Sequence, residues 1–355
     1  MNRPLVSVII PAYNEATHIG PAIESVAQQT YDNIEIIVVN DGSTDDTGSV
    51  VHENYPQIVY VEQENAGAAA ARNTGALVAS GELLTFLDAD DRLVSDKIAK
   101  QLAVLQEHPE WELIGTNGLI YNGRHVYPWN NPDRPRLIEY DLHDLIWGYE
   151  PIPPSIMLAT ELLREVGGYD TSFRNLHEDE DLLYRLAGAG HKVAELNEPL
   201  YIITRKPNSL VSTSPSESAR WYLKALENCR RLVHDEQGAP LTPQQYSFAM
   251  GDRACAAISA CFRAGKHQLA LEYLACIDEL AEPAPIHRLL RRMGRLSWPL
   301  FGTMANLYHG SRRVVRGCQA WGGVTGALRQ IWRRYLASSP GSLSSPGMIS
   351  RSRPS

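Results

Sequence analysis

The chain has 355 residues, of which 44% are hydrophobic and 21% are charged. This composition is typical of a globular protein of about two domains and excludes wholesale disorder, which needs fewer apolar residues. The net charge of −8 is unevenly distributed, because no acidic residue follows Glu282 whereas 12 arginines do. An acidic body and a basic C-terminal segment favour different partners.

The cysteines and the apolar stretches indicate the compartment. The five cysteines form no CxxC pair and no Cys/His metal spacing, so we predict reduced, packed thiols. They are Cys229, Cys255, Cys261, Cys276 and Cys318. The apolar N-terminal stretch is too short for a signal peptide, and no stretch has the ~18–20 apolar residues that span a bilayer. We therefore expect a cytoplasmic protein.

Apolar, β-branched runs alternate with helical patterns over the first 90 residues. The runs cover residues 5–10, 34–39, 58–61 and 83–87. The helical patterns cover residues 17–29, 44–54 and 66–79, and Ser43 or Thr44 is the predicted cap of the second. Strands that alternate with helices at this spacing predict βαβ units, and therefore an α/β fold with a mainly parallel central sheet.

The pattern is less regular after residue 91. We predict a helix at 95–107 capped by Ser95, helices at 160–166 and 178–188, short strands at 192–196 and 200–204, and helices from 216 to about 281. Residues 121–154 are rich in Pro, Asn, Trp and Tyr, which predicts a long irregular segment. The last fifteen residues have the Ser, Pro and Gly content of a disordered segment.

Polar residues follow the first two predicted strands, where open α/β sheets bind ligands. Tyr13 can stack on a base or a ribose, and Glu15 can accept a hydrogen bond from a sugar hydroxyl. Asp41 opens an Asp-Gly-Ser-Thr loop, where its carboxylate can accept the ring N–H of uracil, thymine or guanine. Both loops are also ordinary turn sequences, so a purely structural interpretation stays open.

Charged residues at the next two strand ends suggest a phosphate and a metal. Arg72 is the only charge in the Ala-rich stretch 66–79, and it suits either a phosphate or a structural salt bridge. Asp88, Asp90 and Asp91 follow the fourth run. Carboxylates this close repel one another unless a cation joins them, and Mg²⁺ or Mn²⁺ typically shares its shell with substrate phosphates. We predict a divalent metal site here.

Four consecutive acids, residues 178–181, open the predicted helix 178–188, where the helix dipole favours them. The Asp179 face of that helix adjoins the apolar face that carries Leu182 and Leu183. A carboxylate beside an apolar wall and a cleft can act as general base on an acceptor hydroxyl. The alternative is a solvated acidic helix start.

Taken together, these motifs resemble the family 2 glycosyltransferases, which are inverting sugar transferases of the GT-A fold. The resemblance covers roughly residues 4–212, in seven segments with the family's order and spacing. They are residues 6–15, 38–47, 66–75, 86–91, 153–158, 165–173 and 177–186. It implies a Rossmann-like nucleotide-sugar domain over residues 1–212. The remaining chain is predicted to comprise a helical region at 213–282, a basic amphipathic helical tail at 283–338 and a disordered end at 339–355.

The resemblance also implies a role for each motif residue. The residues that contact the nucleotide or the donor sugar would be Pro11, Ala12, Tyr13, Glu15, Asp41, Arg72, Asp88, Ala89 and Arg205. Asp90, with Asp88, would hold Mn²⁺ or Mg²⁺. Asp179 would be the catalytic base, and Glu178 is the second choice.

The implied reaction moves one sugar from a UDP, dTDP or GDP sugar to a hydroxyl of a glycan or lipid-linked acceptor. We expect single-sugar transfer, because the Gln-x-x-Arg-Trp motif and the membrane spans of processive members are missing. One alternative is a sugar-phosphate nucleotidyltransferase, which would need a Gly-rich basic loop after the first strand. The other is a catalytically silent protein that binds nucleotide sugars.

The basic tail has its own predicted partner. Arginines flank Leu, Met and Trp at helical spacing over residues 286–335. Such amphipathic basic helices favour an anionic membrane surface, which would place the protein peripherally at the inner face of the plasma membrane. Docking of the tail on the acidic body stays open. The sequence has no recognised nucleic-acid-binding fold, so no nucleic acid partner is expected.

Overall fold

The computed structural model describes most of the chain to residue 205 and part of the helical region beyond. The described residues are 3–140, 142–146, 152–173, 177–205, 221, 224, 225, 228, 247, 251, 254, 255, 257–259, 261 and 265–278. The strands are β1 (Val6–Ala12), β2 (Ile34–Asn40), β3 (Val59–Glu62), β4 (Leu83–Phe86), β5 (Arg92–Leu93), β6 (Leu113–Tyr121), β7 (Val126–Pro128), β8 (Leu137–Tyr140), β9 (Met157–Ala159) and β10 (Val193–Thr204). The helices are α1 (Ile19–Ala27), α2 (Thr47–Asn54), α3 (Ala68–Val78), α4 (Lys97–Glu107), α5 (Leu142–Ile146), α6 (Thr160–Glu165), α7 (Glu178–Gly188) and α8 (His267–Asp278), and one turn of 3-10 helix covers Pro153–Ser155.

Within these residues the strands form a mixed sheet in the order β3-β2-β1-β4-β9-β6-β10-β5, with β7 beside β6 and β8 beside β10. Strands β1 to β4 are parallel, as the βαβ pattern predicts. All seven residues of β1 are buried, because apolar side chains cover both faces of the sheet. The predicted α/β class is therefore confirmed.

Close packing of α3 on β1 depends on small residues. Gly75 lies against Ile9, and a Cβ atom at Gly75 would be 2.4 Å from Ile9 Cγ2. The Ala-rich sequence of α3 thus allows the helix to approach the sheet closely. That approach places Arg72, one turn earlier, next to the ends of the parallel strands.

Strand β9 sets the direction of the second half of the sheet. It pairs antiparallel with both β4 and β6, so β4 and β6 run in the same direction. Strand β10 is parallel to β6. The ends of β1, β2, β4, β6 and β10 therefore share one side of the sheet, which we call the carboxyl edge.

Three local predictions are wrong. Residues 121–154 are not irregular throughout, since β7 pairs with β6 and β8 pairs with β10, and α5 follows. The two strands predicted at 192–196 and 200–204 are one strand, β10. Its register against β6 shifts on either side of Pro199, and these irregularities allow the strand to continue in the sheet. The residue before α4 is Asp96 rather than Ser95, and it makes no side-chain capping bond.

The C-terminal region is described only in part. Every described residue between 221 and 261 is helical, and α8 follows, in agreement with the predicted helical pattern. Cys255 and Cys261 are buried and free of disulfides. No helix among the described residues is both long enough and apolar enough to cross a bilayer. The basic tail and the C-terminal end at 339–355 lie outside the described residues, and the domain boundaries stay predictions.

Candidate active site

The loops that follow β1 and β2 are joined by hydrogen bonds at the carboxyl edge. The main-chain N–H of Asn14 donates to Ser43 Oγ at 2.9 Å, and Asn14 Oδ1 accepts from the N–H of Thr44 at 2.8 Å. The N–H of Glu15 donates to Thr47 Oγ1 at 2.8 Å. Ser43 and Thr44 therefore bind the neighbouring loop instead of capping α2, which begins after Asp46.

The four residues of the Pro-Ala-Tyr-x-Glu segment differ in position. Pro11 and Ala12 are buried inside β1, where they pair with β2. Tyr13 follows the strand, and 49% of its surface is exposed. Glu15 Oε2 lies 2.8 Å from Nδ1 of His18. Tyr13 thus offers the exposed aromatic surface that the sequence predicts at this strand end.

Asp41 organises the loop that leads into α3. Its carboxylate accepts hydrogen bonds from Gln63 Nε2 at 2.7 Å, from the N–H of Ala66 at 2.9 Å and from the N–H of Gly67 at 2.8 Å. The side chain is buried. Sequence reasoning predicted a base contact for Asp41 and missed this role, because the donors lie 22 to 26 residues further along the chain.

Arg72 forms the centre of a buried ion-pair network. Its Nη2 lies 2.8 Å from Asp88 Oδ1, and its Nη1 lies 2.8 Å from Glu178 Oε1. The guanidinium carbon lies 5.4 Å from the centre of the Tyr169 ring. Burial alone would lower the pKa of Arg72, but Asp88 and Glu178 raise it above its usual value, so the side chain stays charged. Of the two alternatives, the structure shows the salt bridge.

The four acids at the start of α7 have different surroundings. Glu178 binds Arg72, Glu180 lies 2.7 Å from Nδ1 of His177, and Asp181 binds Arg185 Nε at 2.8 Å. Asp181 is fully buried, whereas Asp179 is only partly buried. Glu180 and Asp181 therefore pair with residues of α7 or of its first turn, Glu178 pairs with Arg72 of α3, and Asp179 keeps a partly exposed side chain.

The pKa values of Glu178 and Asp179 shift in opposite directions. Burial raises the pKa of Glu178, and the charge of Asp179 adds to this effect while Arg72 opposes it. Burial would also raise the pKa of Asp179, but a hydrogen bond shared with Glu180 and the positive charges of His177 and Arg72 outweigh it, so the pKa is lowered. Asp179 is therefore the stronger acid and is ionised at neutral pH.

The aspartates after β4 have separate surroundings. Asp91 is buried and accepts a hydrogen bond from the N–H of Thr204 at 2.9 Å, which ties the loop to the end of β10. Asp88 keeps 36% of its side chain exposed despite its bond to Arg72, and Ala89 is buried. Asp90 is partly buried. Asp88 and Asp90 are thus the two aspartates of this loop whose side chains are not fully buried.

The residues at this loop fit a metal that arrives with its substrate. In the part of the chain that the structure describes, no three His, Cys, Asp or Glu side chains are grouped to hold a metal ion. Mg²⁺ and Mn²⁺ prefer oxygen ligands, and Mg²⁺ commonly binds through one or two carboxylates together with substrate phosphates. Asp88 and Asp90 supply such a partial set of oxygens.

A clamp of hydrogen bonds fixes the loop 166–169 between α3 and α7, and sequence reasoning missed it. Asn73 Nδ2 donates to Tyr169 O, and Asn73 Oδ1 accepts from Tyr169 N, both at 2.8 Å. Arg185 donates to the carbonyls of Val166 and Gly168 at 2.6 and 2.8 Å. The available signals were the Arg-Asn pair in an Ala-rich helix and the Gly-Gly-Tyr segment.

Arg205 lies at the far side of the carboxyl edge. Its N–H donates to Tyr121 O at 2.8 Å, its Nη1 lies 3.4 Å from Tyr127 Oη, and its side chain is exposed. The neighbouring Thr204 is bound to Asp91. The predicted diphosphate contact of Arg205 is not tested by these contacts and stays a prediction.

Comparison with solved structures identifies the fold. S. aureus TarS 1–349, in complex with UDP-GlcNAc, superposes with a TM-score of 0.66 at 18% identity and covers 86% of this chain and 92% of that chain. The mannosyltransferase PcManGT from Pyrobaculum calidifontis, in complex with GDP-Man and Mn²⁺, gives 0.53 at 21% identity, with 86% and 85% covered. These likenesses confirm the predicted GT-A fold.

Sequence relatives identify the family. The model of Glycosyl transferase family 2 matches residues 7–166. An uncharacterized glycosyltransferase of Haemophilus influenzae is 31% identical over 243 residues, which are 64% of this chain and 80% of the relative. The uncharacterized glycosyltransferase RT0329 of Rickettsia typhi is 37% identical over 191 residues, 51% of this chain and 58% of the relative. With one relative aligned over four-fifths of its length, the chain belongs to glycosyl transferase family 2 and is a glycosyltransferase.

Proposed function

We propose that the enzyme transfers one sugar from a nucleoside-diphosphate sugar to an acceptor hydroxyl, with inversion and with a divalent metal. The observation that carries this proposal is the Arg72 bridge, with 2.8 Å contacts to Asp88 after β4 and to Glu178 on α7. The bridge joins the Asp88 loop, where the donor diphosphate would bind, to α7, which carries the proposed catalytic base. Sugar transfer requires the diphosphate and the catalytic base to lie close together.

The donor pocket is proposed at the ends of β1 and β2. Tyr13 supplies an exposed ring on which a base can stack. Asp41 accepts three hydrogen bonds from its own chain, and a carboxylate has about four acceptor sites, so one further donor can be accommodated. Uracil, thymine and guanine each offer a ring N–H. The UDP-GlcNAc and GDP-Man complexes of the two structural neighbours support a nucleotide sugar.

Asp90 and Asp88 would hold the metal, and Mn²⁺ in the PcManGT structure supports this class of ion. When bound, the ion supplies neutralisation of the charge that develops on the departing nucleoside diphosphate. Arg72 fixes Asp88 in position through the 2.8 Å bond. The choice between Mn²⁺ and Mg²⁺ is decided by the experiment below.

Asp179 is the proposed base. Its lowered pKa keeps it ionised, whereas Glu178 is buried, bound to Arg72 and shifted to a higher pKa. Asp179 takes the proton of the acceptor hydroxyl while the oxygen attacks the anomeric carbon. The bond from that carbon to the diphosphate oxygen breaks on the opposite face and its electron pair leaves with the diphosphate. One displacement inverts the centre, and no covalent intermediate with the enzyme forms.

The acceptor is proposed to be a glycan or a lipid-linked glycan of the bacterial envelope, by analogy with the resembled family. We further propose that the basic segment 286–335 holds the enzyme at the anionic inner face of the plasma membrane. Its arginines and the apolar residues beside them support this, since each basic residue near such a surface contributes about 1 kcal/mol of binding. Docking on the acidic body is the alternative.

A thermal-shift panel of UDP, dTDP, GDP and CDP, with and without Mn²⁺ or Mg²⁺, tests the donor site. A ligand at 100 times its dissociation constant adds about 2.7 kcal/mol of stability. We expect one diphosphate to shift the melting temperature in a metal-dependent way, and Asp90→Asn to remove the metal dependence. If no diphosphate shifts the wild-type enzyme under any metal condition, the proposed donor site is refuted.

A further inference from the structure

Four described residues beyond the sheet lie on one helix face. They are Trp221, Lys224, Ala225 and Asn228, and each of them is helical. Their spacing of three, four and seven residues places them on the same side of a helix. They belong to the helical region that the sequence predicts beyond the nucleotide-sugar domain. We call these four residues the 221–228 face.

Apolar packing joins the 221–228 face to α7. Ala225 is fully buried in the same hydrophobic core as Leu182 and Leu183 of α7. Trp221 packs against that core, and its ring centre lies 5.7 Å from that of Phe173, in the loop before α7. The helix face is therefore part of the core that supports α7.

Charge also joins the face to the loop before α7. Lys224 Nζ lies 4.5 Å from the centre of the Phe173 ring and bonds to Ser172 Oγ. Burial would raise the pKa of Asp170, but hydrogen bonds from Ser172 and the positive charges of Lys224 and Arg185 lower it. Asp170 is therefore an anion at neutral pH, and the two cations compensate its charge.

Asn228 links two carboxylates from its place on this face. Its Nδ2 donates to Asp181 Oδ1 at 2.9 Å and lies 3.4 Å from Asp170 Oδ2. The amide nitrogen has two N–H groups, so it can serve both oxygens. Asp181 is fully buried and has a second donor in Arg185 Nε at 2.8 Å. Loss of one of these two donors would leave a buried charge poorly compensated.

Asp181 and Asp179 lie on opposite sides of the first turn of α7. Two residues correspond to about 200° of rotation around a helix. Asp181 is directed toward Asn228, to which it bonds, whereas Asp179 is partly exposed on the other side of the turn. A shift of this turn that breaks the Asp181 contact therefore also moves Asp179.

We propose that Asn228 is a positioning residue for catalysis, which acts through Asp181 to hold the first turn of α7 and thereby the carboxylate of Asp179. The helical region then completes the active site from behind the helix. Misplacement of a catalytic group by about 1 Å can reduce a rate about 100-fold, so such a contact matters for the chemistry. The inference rests on the proposed function, because it takes Asp179 as the base.

The test uses the full-length enzyme, three changes at the Asn228 contact and one control. Asn228→Leu removes the donor, and Asn228→Asp brings a third carboxylate to Asp181 and Asp170. The double variant Asn228→Asp/Asp181→Asn exchanges amide and carboxylate. Gln268→Leu is the matched control, since Gln268 is an exposed amide on α8 of the same helical region.

Hydrogen–deuterium exchange is measured at the amides of residues 178–184, with β1 as the internal reference. Asn228→Leu should speed exchange about tenfold at 178–184 and leave β1 as in the wild type. Asn228→Asp should give a larger increase, because like charges repel. The double variant should return toward the wild-type rate, since one amide again lies beside one carboxylate. Gln268→Leu should exchange like the wild type.

The second readout is release of UDP from UDP-GlcNAc and of GDP from GDP-Man, the nucleotide sugars in the complexes of the two structural neighbours. We expect Asn228→Leu to lower kcat about 10- to 100-fold with an unchanged KM, and the double variant to recover kcat. A contact that only stabilises the fold would leave kcat of the folded enzyme as it is.

Three results would overturn the inference. They are unchanged exchange at residues 178–184 in Asn228→Leu, an equal increase of exchange at β1, and faster exchange at 178–184 with unchanged kcat. Failure of the proposed function has different signs: no nucleotide thermal shift in the wild type refutes the donor site, and normal turnover in Asp179→Asn refutes the base. The exchange measurement needs no substrate and tests the Asn228 contact independently of both.

Discussion

Arg72 connects two carboxylates that are far apart in sequence, 16 residues away in Asp88 and 106 residues away in Glu178. Its guanidinium is buried, so each carboxylate is compensated only if the fork of donors stays in place. Removing one member of such a buried network leaves uncompensated charge. The stability of the fold and the geometry of the site therefore depend on the same side chain.

Arg72→Met should lower the free energy of unfolding by about 3–5 kcal/mol, because it leaves the buried carboxylate of Glu178 without its partner, whereas the partly exposed Asp88 can be solvated by water. Arg72→Lys keeps the charge but cannot bond both carboxylates with one planar group, so we expect it to be destabilised as well. Urea denaturation measures both. The exposed ion pair of Arg164 with Glu161 is the control, and Arg164→Met should stay within about 0.5 kcal/mol of wild type.

Asp179→Asn should lower kcat for transfer by about 10²–10⁴, the usual contribution of a general base. The asparagine has similar size, so the thermal shift with the nucleoside diphosphate should stay as in the wild type. Glu161→Gln is the control, because Glu161 is an exposed acid on α6 that pairs with Arg164. Normal rates in Asp179→Asn would refute the assignment of the base.

Lys97 is buried beneath the sheet, where its Nζ donates to Thr85 Oγ1 at 3.0 Å and to Gln101 Oε1 at 2.8 Å. Burial lowers the pKa of Lys97 to about 7 from 10.5. Between these values the unfolded chain binds the proton and the folded chain releases it, so stability rises with pH in this window. Below about pH 7 both states are protonated and the contribution becomes constant.

The wild type should therefore gain about 2 kcal/mol of stability between pH 7 and pH 9 relative to Lys97→Met, which has no proton to release. Urea denaturation of both proteins at the two pH values gives the difference. Comparison with the variant cancels the titration of all other groups. Parallel profiles for the two proteins would show that Lys97 titrates near its ordinary pKa.

At the scale of elements, the loop 166–169 determines how α7 sits against α3. Asn73 holds the loop from α3 and Arg185 holds it from α7. Both glycines of the loop have positive φ, 77° at Gly167 and 75° at Gly168. Only at Gly168 would a Cβ atom meet a neighbour, 2.6 Å from Asn73 Oδ1, whereas space is open within 4 Å at Gly167.

This difference makes the two glycines a matched pair. Gly167→Ala should cost about 1–2 kcal/mol for the left-handed backbone alone. Gly168→Ala should cost about 1–3 kcal/mol more, because the methyl group displaces Asn73. Urea denaturation gives both values, and the excess should shrink when Asn73→Ala is added. Equal costs for the two variants would show that the clamp has no energetic importance.

Elements that bury apolar runs were predictable, and elements that depend on distant pairing were not. The runs of β1 to β4 and the acids of α7 are visible in short windows of sequence. Strand β7 has three residues with proline among them, and it is a strand because β6 lies beside it. The same reason applies to the site: Asp88 and Asp179 were recognisable locally, whereas the contacts of Arg72 with Glu178 and of Asn73 with Tyr169 each span about 100 residues.

At the scale of the molecule, charge is divided between an acidic body and a basic segment after Glu282. Electrostatic attachment to a membrane and docking on the body predict different responses to anionic lipid. Binding of the segment to lipid should increase with the fraction of anionic lipid. It should weaken as salt is added, because salt screens exposed charges beyond a Debye length of about 10 Å at 0.1 M.

The full chain should therefore sediment with vesicles of anionic lipid and remain in solution with vesicles of neutral lipid. Replacing the first arginine cluster by glutamine should reduce the bound fraction, since each basic residue contributes about 1 kcal/mol. The cluster is Arg288, Arg291, Arg292 and Arg295. Arg164→Gln is the control for charge in the body, because Arg164 is exposed on α6. Equal sedimentation of all three proteins would contradict the membrane proposal.

The place of β9 in the sheet has a consequence for synthesis of the chain. Met157–Ala159 fills the gap between β4 and β6, so β4 has an open edge until the ribosome has passed these residues. The ion pair of Arg72 with Glu178 forms later still, after Glu178 has emerged from the ribosome. The nascent N-terminal half thus carries an unpaired strand edge, a feature prone to aggregation. We expect chaperone engagement with the nascent chain to be strongest before this point.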